Sequence, residues 1–171
     1  MALKQNLADS ARLRVNSGKE PAWKMAENRV GEALLELLLD GYVILNDIKY
    51  RYGNIDHVVI RPDGTFILIE TKSHSGRVTT DGRRVLVNGR SLRTNPISQV
   101  MRSIRWIRDL AKRLYGKNPW MVAVLVFPNA DVSVRHSVKH VNVLTLDSLV
   151  SFVRSYSRRN QISHHRFSRN H

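Results

Sequence analysis

Cysteine is absent from the 171 residues, which excludes disulfides, thiolate-held zinc and cysteine-ligated iron–sulfur clusters. The absence suits a reducing compartment, and a cytoplasmic location is expected. Long apolar runs are missing too. The longest, 120–127, is far shorter than the ~20 residues a bilayer-crossing helix needs, and the opening Met1-Ala2-Leu3-Lys4-Gln5-Asn6 lacks the apolar stretch of a secretion signal, so no membrane partner is expected. No glycine-rich phosphate loop occurs, which argues against ATP dependence. Acids are scarce: 14 Asp+Glu stand against 28 Lys+Arg, for a net charge of +14. Hydrophobic residues at 42% and charged residues at 25% are ordinary for one folded domain, so the excess of cations is a surface property. A surface of that sign favours phosphate polyanions, with DNA the leading partner and RNA a lesser one.

What is present is organised around residues 53–72. Two apolar runs flank Pro62-Asp63-Gly64, a turn signal that predicts a β-hairpin. In a three-residue loop Pro62 supplies φ near −65° and Gly64 the left-handed position, so Arg61 faces Thr65. Counting outward, Asp56 then lies opposite Glu70, roughly 5 Å away on the same face, with Lys72 two residues further along it. A two-residue loop would instead pair Asp56 with Thr71 and split the carboxylates between faces. Two carboxylates at this spacing repel, so one keeps its proton unless a cation lies between them. Mg²⁺ or Mn²⁺ is the natural cation, with Lys72 placed to orient a water or hold a phosphate. The competing reading is a pair of solvated strand-end charges with Lys72 as an ion-pair partner.

The rest of the chain reads in order. Residues 1–19 form an extension in which Leu3, Leu7, Ala11 and Val15 recur at helical spacing, a short helix for packing on the body or on a second copy, which leaves a homodimer open. A helix is predicted from Pro21 to Asp40-Gly41, with Val30, Ala33, Leu34, Leu37 and Leu38 as its buried stripe. Short strands follow at 42–45, 77–80, 84–87 and 90–94, the last two joined at Asn88-Gly89. Asn95 caps and Pro96 opens a second long helix, ending at Gly116, whose apolar stripe runs from Ile97 to Leu114. Residues 120–127 read as a central strand covered on both faces and parallel to a neighbour. A strand at 141–144 and a helix to Tyr156 complete a domain spanning 20–156, and 157–171 is a basic tail. His136 and His140 have metal-ligand spacing but no accompanying carboxylate. Arg77, Arg84, Arg90 and Arg93 on the short strands, and Arg102, Arg105 and Lys112 on the second helix, lack compensating acids and are candidate phosphate contacts.

Asp56 followed by Glu70-Thr71-Lys72 at a strand end resembles the core of the PD-(D/E)XK nuclease superfamily. Together with Gly31-Glu32, Ile55-Asp56-His57-Val58-Val59 and Asn95-Pro96-Ile97-Ser98-Gln99, the words resemble more closely the nuclease-related domain, NERD, over roughly residues 29 to 126. That resemblance implies an α/β fold, a small mixed β-sheet flanked by helices with a restriction-endonuclease-like core. It further implies divalent-metal-dependent cleavage of DNA phosphodiesters with little sequence specificity. Asp56 and Glu70 would hold the metal, Glu32 would join or support them with Glu36 as its runner-up, Lys72 would act on the water or phosphate, and Gln99 would position substrate. The alternative is a non-catalytic nucleic-acid-binding or assembly module of the same fold.

Overall fold

Gly41 marks the first punctuation of the chain. The computed structural model describes residues 20–157; the helix expected within 1–19 and the basic tail beyond Ser157 lie outside the described residues. Ala22–Leu34 forms α1 directly after Pro21, and Val30 and Leu34 on its inner stripe are fully buried. The expected single helix to residue 40 instead tightens into a 3₁₀ stretch, Leu35–Asp40, closed by Gly41 in the left-handed conformation at φ 78°. In a 3₁₀ turn side chains three apart eclipse, so Leu35 and Leu38 share the solvent side while Leu37 points inward. That is why Leu38, read as buried, is half exposed.

The strands β1 (Val43–Tyr50), β2 (Gly53–Ile60) and β3 (Thr65–Thr71) form an antiparallel meander. The second turn has the predicted three-residue loop: the Arg61 amide donates to the Thr65 carbonyl at 2.9 Å, Gly64 has φ 76°, and Val58 faces Leu68. After β3 the chain leaves this sheet and makes β4 (Ser75–Thr80), β5 (Val85–Val87) and β6 (Arg90–Ser91). Then come α2 (Pro96–Tyr115), β7 (Trp120–Phe127), β8 (Asn129–Val132), β9 (Val141–Thr145) and α3 (Leu146–Ser155). Asn95 caps α2, its side chain accepting from the amides of Ile97 and Ser98 at 3.1 and 3.3 Å. Thr145 does the same for α3 toward Ser148.

Strand order in the main sheet is β1-β2-β3-β7-β9, with β7 parallel to both neighbours, as its continuous apolar run demands. A second sheet, β6-β5-β4-β8, was not anticipated; β8 lies parallel to β4, so the arginine-bearing strands form their own layer. Alternation along β3 and β7 divides the core. Ile67, Ile69, Val124 and Val126 meet α1 and α3 through Val30, Leu34, Leu149 and Val153. Leu68, Leu125 and Phe127 meet α2 and the small sheet through Val100, Ile104 and Val78. The result is a mixed α/β protein in three layers, with each fully buried aliphatic contributing on the order of 1.5–3 kcal/mol.

Candidate active site at the open end of the hairpin

The β2–β3 ladder stops at His57 opposite Ile69. In the regular alternation the next hydrogen-bonded step would take the Thr71 amide to the Ile55 carbonyl. Instead that amide donates to Asp56 Oδ2 at 2.7 Å, so the Asp56 carboxylate replaces a backbone acceptor and the strands splay apart. Glu70 lies in this opening. It shares the α2 side of the sheet with Leu68, and only 2% of its surface is exposed.

One Glu70 oxygen is fully engaged. Oε1 accepts from Lys72 Nζ at 2.8 Å and from Gln99 Nε2, and Lys72 also donates to Gln99 Oε1 at 3.0 Å. The Asn95 cap places Gln99 in the first turn of α2, directly over the end of β3. The other oxygen, Oε2, is buried and has no hydrogen-bond partner among the described residues. Burial pushes the Glu70 carboxyl up to about 7, reinforced by the Asp56 charge and opposed by Lys72. Asp56 is also raised, again mainly by burial, against the Thr71 amide and Lys72. These are the expected signs for two crowded carboxylates sharing one cation.

Two carboxylates of α1, Glu27 and Glu32, line the cleft beside Asp56, a space of about 230 Å³. The Glu32 side chain is exposed. Glu36 points elsewhere, forming a 3.4 Å ion pair with Arg154. Glu27, one turn earlier on α1, is half-buried, and its carboxyl is raised by burial and then by Asp56; it in turn raises Glu70. Lys24, Glu27, Asn28 and Gly31 recur at helical spacing and all line the cleft, on a face distinct from the buried stripe. That face adds Glu27 to the Glu32 already singled out.

His57 of the strand motif and three residues the sequence did not mark, Asn46, Asp47 and Asn54, also line the cleft. His57 is buried, its Nδ1 2.8 Å from Asn46 Oδ1, and burial holds the ring down to about 4, so it is neutral at neutral pH. Its ring packs against Gly31, where a Cβ would come within 3.4 Å of Cε1, so helix and strand meet closely here. Asp47, at φ 50°, interrupts the alternation of β1 and accepts from Asn54 Nδ2 at 2.8 Å. Among the described residues no three His, Asp or Glu side chains are gathered closely enough to cage an ion.

The basic residues divide between two surfaces. Arg102, Arg105 and Lys112 are exposed along α2 with no ion pair among the described residues. Arg77, Arg84 and Arg90 stand on or beside the small sheet and Arg93 follows it; Arg84 lies 3.7 Å from Asp81, and Arg77 donates to Ser133 Oγ at 3.3 Å. No described helix is long and apolar enough to cross a membrane.

Comparison with known proteins gives two partial likenesses and one family match. A repair endonuclease from Pyrococcus abyssi is similar over 70% of this chain and 46% of its own, at 17% identity and a TM-score of 0.39. SfsA from Pyrococcus furiosus, solved in complex with Ca²⁺, is similar over 72% and 55%, at 19% identity and a TM-score of 0.31. The chain thus spans about half the length of either structure. No curated protein matches. Residues 22–128 match the nuclease-related domain family, NERD, a span that takes in α1, the hairpin, the start of α2 and β7. Because that match covers more than half of the 171 residues, the chain belongs to the nuclease-related domain family.

Proposed function

We propose that the protein is a divalent-metal-dependent nuclease that hydrolyses DNA phosphodiester bonds with little sequence preference. The observation that carries this reading is the division of labour on Glu70: Oε1 is held by Lys72 and Gln99, while Oε2 is buried with no hydrogen-bond partner among the described residues, in a carboxyl that feels the charge of Asp56. Such an oxygen costs free energy as it stands, and a hard cation would satisfy it and relieve the repulsion of the pair. The residues therefore fit Mg²⁺ or Mn²⁺, held by Asp56 and Glu70. Mg²⁺ ordinarily needs only one or two carboxylates and keeps several waters, so a three-carboxylate cage is not required. When bound, the ion would supply Lewis-acid polarisation of a phosphate and lower the pKa of a water.

The chain's own groups have distinct tasks in this proposal. Lys72 places a cation beside Glu70 Oε1, where it holds the carboxylate orientation and offers its one remaining donor to a phosphate oxygen carrying developing charge. Gln99 locks the same oxygen from α2, so Oε2 stays turned to the metal position. Glu27 adds negative charge from α1, and Glu32 stands at the cleft rim. The cations on α2 and the small sheet would follow the phosphate backbone, which reads no sequence.

Incubating the purified chain with plasmid and with single-stranded DNA, in Mg²⁺, Mn²⁺ or EDTA, tests the proposal. Cleavage should require metal and disappear in Glu70→Ala. Binding without cleavage would return the chain to the class of non-catalytic nucleic-acid-binding modules, and cutting that survives the substitution would overturn the assignment of catalysis to Glu70.

A further inference from the structure

The turn between β1 and β2, Arg51-Tyr52, lies at the same end of the sheet as the carboxylates, because β2 runs from Gly53 through Asp56. At ~3.3 Å per residue Tyr52 is about 13 Å of strand from Asp56, a span on the order of four stacked nucleotides. Tyr52 is 57% exposed, which a tyrosine at a turn need not explain. It is not isolated, however. The Arg51 guanidinium lies 4.4 Å from its ring centroid, and its edge meets Tyr50, with centroids 5.8 Å apart and planes at 79°. Tyr50 packs in turn on Trp106 of α2 at 5.0 Å and hydrogen-bonds through its hydroxyl to Ser103 Oγ at 2.9 Å.

That column of rings is fixed to the site. Ser103 Oγ donates to the Gln99 carbonyl at 3.3 Å, and Gln99 donates to Glu70. Gln99, Arg102, Ser103 and Trp106 recur three to four apart, so the ring column and the exposed Arg102 stand beside the residue that holds Glu70. An exposed ring backed by a guanidinium and a rigid aromatic pair, with an unpaired arginine alongside, has the two components of a site for an unpaired strand: a stacking surface and backbone cations. A base in a duplex is already stacked and paired and gains little from such a surface.

We propose that Tyr52, supported by Arg51 and Tyr50, stacks an unpaired nucleobase and so directs the site toward single-stranded DNA or the single-stranded arm of a junction. The proposal rests on the nucleic-acid reading of the Asp56–Glu70 site, but its readout is binding, not cleavage. Affinities of the full chain are measured in EDTA for a labelled single-stranded oligonucleotide, the same oligonucleotide with an abasic tract, and a blunt duplex. Tyr52→Ala should weaken binding of the single strand roughly 5- to 100-fold, the range of one lost base stack. Tyr52→Phe should retain it, and the duplex and the abasic strand should be bound alike by wild type and Tyr52→Ala. Equal losses on single strand and duplex, or no loss with Tyr52→Ala, overturn the stacking role and leave the nuclease reading untouched. Failure of the wild type to bind any of the three overturns both. Metal-dependent cutting absent alongside the predicted binding pattern overturns only the nuclease reading.

Discussion

Glu70 and Asp56, both raised by burial, give the protein's pH dependence its sign, and Glu70 carries the larger displacement. Its folded-state value of about 7 lies above the ordinary 4.5, so the folded chain holds a proton that the unfolded chain releases. The stability this gives is complete below pH 4.5 and is lost as pH rises through about 7; the displacement amounts to about 3 kcal/mol. In EDTA, wild type should therefore lose several degrees of thermal midpoint relative to Glu70→Gln between those limits, and Mn²⁺ should reverse the loss at pH 7. Parallel midpoints for the two proteins across that window would contradict it. A second expectation concerns α1: Glu27→Gln should lower metal-dependent cleavage roughly 10- to 100-fold, the usual effect of a charge that supports metal ligands, whereas Glu32→Gln should leave it unchanged. Reversed rates for these variants would make Glu32, not Glu27, the supporting carboxylate. The Asp56–Glu70–Lys72 grouping was legible because loop length fixes register, and Pro62 and Gly64 fix loop length. Glu27 was not, since one sequence shows the faces of a helix but not which polar face a distant strand approaches.

The second helix carries the next scale of consequence. Asn95 holds the first turn of α2, and that turn holds Gln99 over Glu70. Asn95→Ala should cost about 1 kcal/mol in urea unfolding and, beyond that, reduce the cleavage rate without changing the stacking-dependent binding of single strands. A normal rate in the folded variant would detach the cap from the site. The helix was legible from Asn95-Pro96 to Gly116 because caps and apolar spacing agree, but its last turn runs past the sheet, leaving Leu114 64% exposed despite its place in the stripe. The small sheet was less legible. Asn88-Gly89 announced its hairpin, but β8 is four residues long and pairs in parallel with β4, a contact with no local signature.

The whole molecule presents its surplus of cations on more than one layer. Affinity for DNA should fall steeply with salt, and replacing Arg102, Arg105 and Lys112 by Gln should reduce the slope of log affinity against log salt by about 2 to 3, since each phosphate contact contributes about 0.7 to 0.9. An unchanged slope would assign the binding to the small sheet or to the chain ends. Net charge points to a polyanion partner, but says nothing of α2 and the small sheet lying on the same side of the main sheet.

The two sheets are joined by paired crossings. β3 passes through Lys72-Ser73-His74 into β4, and its parallel neighbour β7 passes through Pro128 into β8, itself parallel to β4. The Lys72 amide is anchored to the Val126 carbonyl at 2.8 Å, and Asn129 ties the two passages together through the Ser73 carbonyl at 3.3 Å. The seam is therefore a double stitch: the residues that carry the polar cluster out of the larger sheet are the same ones that fix where the arginine-bearing sheet begins.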